Sequence, residues 1–150
     1  MKQELVRDWM TSQVVTIRPN TTLPQAHELM AQKNIRRLPV VDDRGRLVGI
    51  ITQGDVRGAE PSQATSLSMW ELNYLLTTVC VQEIMTRDPV TVEEGVSICE
   101  AARLMLEYRV SGLPVLSRAG QLVGIITESD IFRMVVRHQW QKGELATDNC

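Results

Sequence analysis

Two short stretches hold the residues that could do chemistry. Thr52 and Asp55 close the run Leu47-Val48-Gly49-Ile50-Ile51-Thr52-Gln53-Gly54-Asp55, and Thr127 and Asp130 close Leu122-Val123-Gly124-Ile125-Ile126-Thr127-Glu128-Ser129-Asp130. Each reads as a buried strand running into a helix start. A carboxylate at such a junction can accept two hydrogen bonds from a cis-diol such as ribose O2′ and O3′. The threonine adds a hydroxyl, and a helix N-terminus favours a nearby phosphate. The plainer alternative is that Thr52 and Thr127 are N-caps and the aspartates complement the helix dipole. Duplication of the junction beside a Leu-Pro-Val strand tips the reading toward ligand binding.

The duplication extends well beyond these nine residues. At an offset of 75, residues 6–57 align with 81–132 without a gap, and 19 of the 52 positions are identical. Two units of one fold follow. The sequence divides into repeat one (1–61), a linker with an amphipathic helix (62–79), repeat two (80–141) and a polar tail (142–150).

Each repeat needs the same elements to position its junction. A helical turn opens it, Val6 to Thr11 and Val81 to Thr86, followed by a β-branched extended piece, Val14 to Ile17 and Val90 to Val92. Helical spacing of Leu23, Ala26, His27 and Met30, and of Ile98, Ala101, Ala102 and Met105, predicts a helix in each, with Thr22 and Ser97 as N-caps. Short apolar strands follow at Leu38-Pro39-Val40-Val41 and Leu113-Pro114-Val115-Leu116, then turns ending at Gly45 and Gly120. The order β-α-β-β-α, with continuously apolar strands, predicts an α/β fold buried on both sheet faces. Gly58 and Pro61 should stop the last helix of repeat one early, while Ile131 to Arg137 continues that of repeat two. In the linker, Met69, Leu72, Leu76 and Val79 form an apolar stripe expected to pack on the protein itself.

Composition narrows the function classes. The net charge of −2 argues against broad nucleic-acid binding, which needs a basic field. No stretch reaches the roughly 18 apolar residues of a membrane span. Cys80, Cys99 and Cys150 are odd in number and far apart, so no disulfide framework or metal pair can be drawn, and Cys99 reads as core. A cytoplasmic protein is expected, since Met1 to Leu5 lacks the apolar run of a signal peptide. His27 and His138 lack metal-ligand neighbours, phosphate-loop motifs are absent, and no base–nucleophile pairing suggests an enzyme.

The residues Met10-Thr11, Leu38-Pro39-Val40-Val41-Asp42 and Gly49-Ile50-Ile51-Thr52-x-x-Asp55, with Met85-Thr86, Leu113-Pro114-Val115 and Gly124-Ile125-Ile126-Thr127-x-x-Asp130, strongly resemble a tandem pair of CBS (cystathionine-β-synthase) domains, a Bateman module. The likeness covers about residues 4–137. The linker from Ala64 to Leu76 also resembles CBS proteins of the acetoin-utilisation type. The resemblance implies two repeats with pseudo-two-fold symmetry, sheets packed face to face, and two clefts. It implies non-enzymatic regulation by AMP, ADP, ATP or S-adenosylmethionine, with Mg only alongside ATP and no required cofactor. A disc-like homodimer and an unknown regulated protein are the implied partners. The alternative is a scaffold subunit that dimerises with one or both clefts unliganded.

By the same resemblance each cleft draws on both repeats. Cleft B would combine Ile125, Thr127, Ser129 and Asp130 with Trp9, Val14, Ile35, Arg36 and Arg37. Cleft A would combine Ile50, Thr52, Gly54 and Asp55 with Ile84, Pro89, Val110, Ser111 and Gly112. Two guanidiniums can clamp a phosphate and a serine–glycine pair cannot supply charge, so cleft B is expected to take the nucleotide phosphate. Trp9 could cover an adenine face, with plain packing as the alternative.

Overall fold

A computed structural model describes residues 3–59, 68, 71, 74 and 77–138. Most of the predicted linker stripe, Met69, Leu72 and Leu76, lies outside them, and so does the tail. Val79 is half-buried against the core of its unit. The α/β expectation is met by two three-stranded sheets with helices. The elements are α1 (Val6–Trp9), α2 (Leu23–Lys33), β1 (Arg37–Val41), β2 (Leu47–Thr52), α3 (Gln53–Ala59), a 3-10 turn (Val81–Glu83), β3 (Thr86–Arg87), β4 (Val92–Glu93), α4 (Ile98–Tyr108), β5 (Gly112–Leu116), β6 (Leu122–Thr127) and α5 (Glu128–Arg137).

The chain forms two units that do not follow the sequence repeats. One is Val15–Pro89, here the Asp55 unit; the other joins Met1–Val14 to Val90–Cys150, here the Asp130 unit. The opening segment of each repeat is therefore built into the other repeat's unit. In the Asp130 unit, the amide of Val6 donates to the Val96 carbonyl at 2.9 Å, and Thr11 and Ile125 exchange two backbone bonds of 2.9 and 3.0 Å. In the Asp55 unit, Val81 donates to Thr21 at 2.8 Å and β3 pairs antiparallel with β2.

Seating these segments requires a strand without a side chain at one position. A Cβ on Gly124 would meet Met10 Sδ at 2.5 Å and the Thr11 carbonyl at 3.0 Å. A Cβ on Gly49 would run into Met85 Sδ and stand 3.0 Å from the Thr86 carbonyl. The repeated methionine, threonine and glycine are thus three parts of one contact, made twice.

The rest follows from local chemistry. In α2, Leu23, Ala26 and Met30 are buried at helical spacing, Thr22 Oγ1 accepts from the Gln25 amide at 3.4 Å, and Asn34 ends the helix in the left-handed region at φ 52°. His27, placed with the apolar positions by its spacing, is exposed, because a polar ring costs less in water than in an apolar core. In α4, Ser97 Oγ accepts from Glu100 at 3.1 Å, and Ile98, Ala101 and Met105 are buried. β1 and β2 form an antiparallel hairpin, as do β5 and β6. No residue of these strands is exposed; β1 and β5 are buried along nearly their whole length, while β2 and β6 mix buried with half-buried positions. Removing one fully buried Leu38 or Ile51 side chain from water contributes about 1.5–3 kcal/mol. Cys80 is a free thiol, and Cys99, read from the sequence as core, is half-buried on α4.

Both hairpins turn on a glycine in the left-handed region, Gly45 at φ 74° and Gly120 at φ 84°, where a Cβ would be strained. In the first, Asp42 Oδ1 accepts from the amides of Arg44 and Arg46, both at 2.9 Å. The Arg46 amide leads the causes that hold this carboxyl below its ordinary range.

Two predictions follow. Gly49→Ala should cost about 1–3 kcal/mol by overpacking, measured by urea unfolding. Met85→Ala in the same chain should recover part of that loss, so the pair is non-additive. A carboxyl depressed in the folded state stabilises above its unfolded pKa and loses that contribution as pH falls. Asp42→Asn should therefore flatten the fall in stability below about pH 4, read from melting curves across acid pH.

Candidate functional site

The junctions form as strand-to-helix corners. β2 ends at Thr52 and α3 begins at Gln53; β6 ends at Thr127 and α5 begins at Glu128. A trained carboxylate results in both. Asp55 Oδ2 accepts from the Thr52 amide at 2.8 Å, and the Asp55 amide donates to Thr52 Oγ1 at 3.2 Å. Asp130 Oδ2 accepts from the Thr127 amide at 2.9 Å and the Thr127 hydroxyl at 3.2 Å. The N-cap weighed against ligand binding is made by Thr52, whose Oγ1 accepts from the Asp55 amide; at the other corner the Thr127 hydroxyl donates to Asp130 instead, and both corners use mainly one oxygen of the carboxylate. Capping and ligand binding are compatible, because a carboxylate offers two oxygens and about four lone pairs.

The corners differ in their second oxygen. Asp130 Oδ1 accepts from Arg133 Nη1 at 2.7 Å, with the Asp130 side chain 5% exposed and that of Arg133 65% exposed. Asp55 is half-buried, and its Oδ1 has no hydrogen-bond partner among the described residues. Motif reasoning missed Arg133, because it lies past the repeated motif. Its signal was the i,i+3 spacing from Asp130, which places two side chains on one helix face.

The other candidates fall into one unit or the other. The Asp55 unit contains Ile50, Thr52, Gly54, Ile84 and Pro89, and also Ile35, Arg36 and Arg37. The Arg36 carbonyl accepts from the Gln53 amide at 2.8 Å, and Arg37 pairs with Thr52 across β1 and β2. The Asp130 unit contains Ile125, Thr127, Ser129, Trp9 and Val14, and also Val110, Ser111 and Gly112. The Ser111 carbonyl accepts from the Glu128 amide at 3.1 Å, and Gly112 pairs with Thr127. Each corner thus has its own repeat's pre-Pro segment beside it, basic in one unit and neutral in the other.

Trp9 is held by polar and cationic neighbours. Its Nε1 donates to Glu4 Oε2 at 2.6 Å, the Arg137 guanidinium lies 5.6 Å from the ring centroid, and the His138 ring meets it edge-on at 5.8 Å. His138 Nε2 also lies 2.8 Å from Glu4 Oε1. Among the described residues no cluster of three or more His, Cys, Asp or Glu could hold a metal, and no helix is long and apolar enough to cross a membrane.

Comparison with known proteins places these corners in context. The CBS domain family model matches residues 6–62 and 81–137. A CBS domain-containing protein of Dictyostelium discoideum is 38% identical over 133 residues, 89% of this chain and 92% of that protein. The solved CBS domain pair of protein MJ0100, in complex with 5′-methylthioadenosine and S-adenosyl-L-methionine, is 30% identical with a TM-score of 0.77, covering 92% of this chain and 100% of that one. CBSX2 of Arabidopsis thaliana, solved in complex with AMP, is 30% identical with a TM-score of 0.74, covering 89% and 97%. An inosine-5′-monophosphate dehydrogenase of Korarchaeum cryptofilum is 35% identical over 119 residues, but these span only 22% of that enzyme.

Thr127→Ala removes the hydroxyl that donates to the buried Asp130 carboxylate and should cost about 1.5–3 kcal/mol, the scale of a hydrogen bond to a charged group. Guanidinium unfolding checks this, and the Asp130→Asn background should shrink the loss because the two groups share their bonds.

Proposed function

The chain belongs to the CBS-domain family, and from that premise we propose that it is a non-enzymatic regulatory module whose two Thr-x-x-Asp corners each receive the ribose of an adenosyl ligand. The observation that carries this reading is the repeated fixing of the aspartate: its Oδ2 is pinned by a threonine amide at 2.8 or 2.9 Å, so the carboxylate is aimed before any ligand arrives. Preorganisation of this kind lowers the cost of binding. AMP, ADP, ATP and S-adenosylmethionine are the ligands in view, with Mg accompanying ATP. The complexes of MJ0100 and CBSX2 support that class.

Arg36 and Arg37 are the proposed phosphate clamp, since two guanidiniums bind a phosphate through several charge-assisted bonds. The cross-repeat assignment gives them Asp130, with Ile35, Trp9 and Val14 beside the ligand; Asp55 then works with Val110, Ser111 and Gly112. The strand register favours a second assignment, in which Arg37 serves Asp55, because Arg37 and Thr52 are directly paired. The module is proposed to act as a homodimer on a regulated protein in the cytoplasm. Phe132, Val135 and Val136, apolar and exposed on α5, support a self-associating face. Ligand would act by favouring one packing over another.

Native mass spectrometry of the purified protein should show a copurifying adenosyl ligand. In isothermal titration with AMP, Arg37→Ala should weaken binding by about tenfold or more, the scale of losing a charge-assisted contact. Asp55→Ala and Asp130→Ala backgrounds then show which carboxylate shares its ligand with Arg37. A scaffold without ligand would show no nucleotide-dependent rise in melting temperature.

A further inference from the structure

The two carboxylates are not equally ready for a diol. Asp130 is 3% exposed, and both of its oxygens are engaged: Oδ2 by Thr127 and Oδ1 by Arg133 at 2.7 Å. Arg133 and Asp130 lie on one face of α5, so the pair closes within a single helix. The position of repeat one that corresponds to Arg133 is Gly58, which has no side chain to reach Asp55.

We infer that Arg133 is a displaceable latch on Asp130, and that it makes this corner selective for phosphorylated adenosyl ligands. The argument rests on the ribose reading above. To bind Asp130, a diol must take the place of a guanidinium on a buried carboxylate. An uncharged nucleoside offers neutral hydroxyls for a charge-assisted bond, which is roughly twice as strong as a neutral one. It also leaves the buried carboxylate without its countercharge, an expensive loss. A nucleotide compensates: its phosphate gives the exposed guanidinium a new anionic partner beside the site while its diol occupies the carboxylate. The side chain of Arg133 is 65% exposed, so it is free to turn toward such an anion. Among the described residues none latches Asp55 Oδ1, and a neutral adenosyl ligand meets that oxygen without a guanidinium to displace.

Isothermal titration of the full chain with AMP and with adenosine tests the latch. An Asp55→Asn background isolates the Asp130 corner. There, adenosine should bind at least about tenfold more weakly than AMP. Adding Arg133→Gln should tighten adenosine and weaken AMP, so that the ratio falls toward one. Arg133→Lys, which keeps charge but lacks the fork, should lie between. An unchanged AMP-to-adenosine ratio in Arg133→Gln overturns the latch while leaving the ribose sites intact. A different result overturns the ribose reading itself, and the latch's selectivity with it: AMP binding that survives Asp55→Asn with Asp130→Asn undiminished, or no binding to wild type. Arg133 lies on the surface, and melting curves without ligand confirm that the variants fold.

Discussion

The fold depends on one contact made twice: a methionine from the opening of one repeat lying on a glycine in the strand of the other. At Gly124 the Met10 side chain and the Thr11 carbonyl fill the space a Cβ would take; at Gly49, Met85 and Thr86 do so. The contact fixes more than packing. It delivers a strand edge, since Thr11 bonds Ile125 and Thr86 pairs with Ile50. Those same strands end at Thr127 and Thr52. The aim of each carboxylate is therefore set from behind by a segment borrowed from the other repeat.

On that common frame the two corners have diverged. Arginines precede the Leu-Pro-Val strand beside Asp55, and serine and glycine precede it beside Asp130. Past the corner the pattern reverses, with Gly58 following Asp55 and Arg133 following Asp130. Each unit thus carries arginine in a different segment next to its corner. Substitution on one side differs physically from the other. Arg37 stands on a strand beside Thr52, whereas Arg133 grips the carboxylate itself.

Much of this was readable from the amino acids. The repeat announced the duplicated α-β-β-α order, though the opening strand expected in both repeats forms only in repeat two and is reduced to an Ile17–Val40 bridge in repeat one. The spacing of Leu23, Ala26 and Met30 announced α2, and Thr22 and Ser97 announced its start and that of α4, because these signals act within a few residues. The exchange of opening segments was not readable. Met10 and Met85 look like ordinary apolar residues, and their partners Gly124 and Gly49 are more than 30 residues away in sequence. Only the three-dimensional contact joins them. Arg133 escaped for another reason: an arginine on a helix is usually solvated, and its pairing with Asp130 shows only once the buried carboxylate is placed.

The exchanged openings bear on how such a chain could arise. A half-length ancestor with a single repeat would present a strand edge and a bare glycine with no opening segment of its own able to cover them. Two identical copies that trade openings would cover each other's strand, as the two repeats of this chain do. Fusion of the copies turns a concentration-dependent assembly into an intramolecular one with a high effective concentration. It also releases the two halves from identity, which is the condition under which one corner could gain an arginine and the other a glycine.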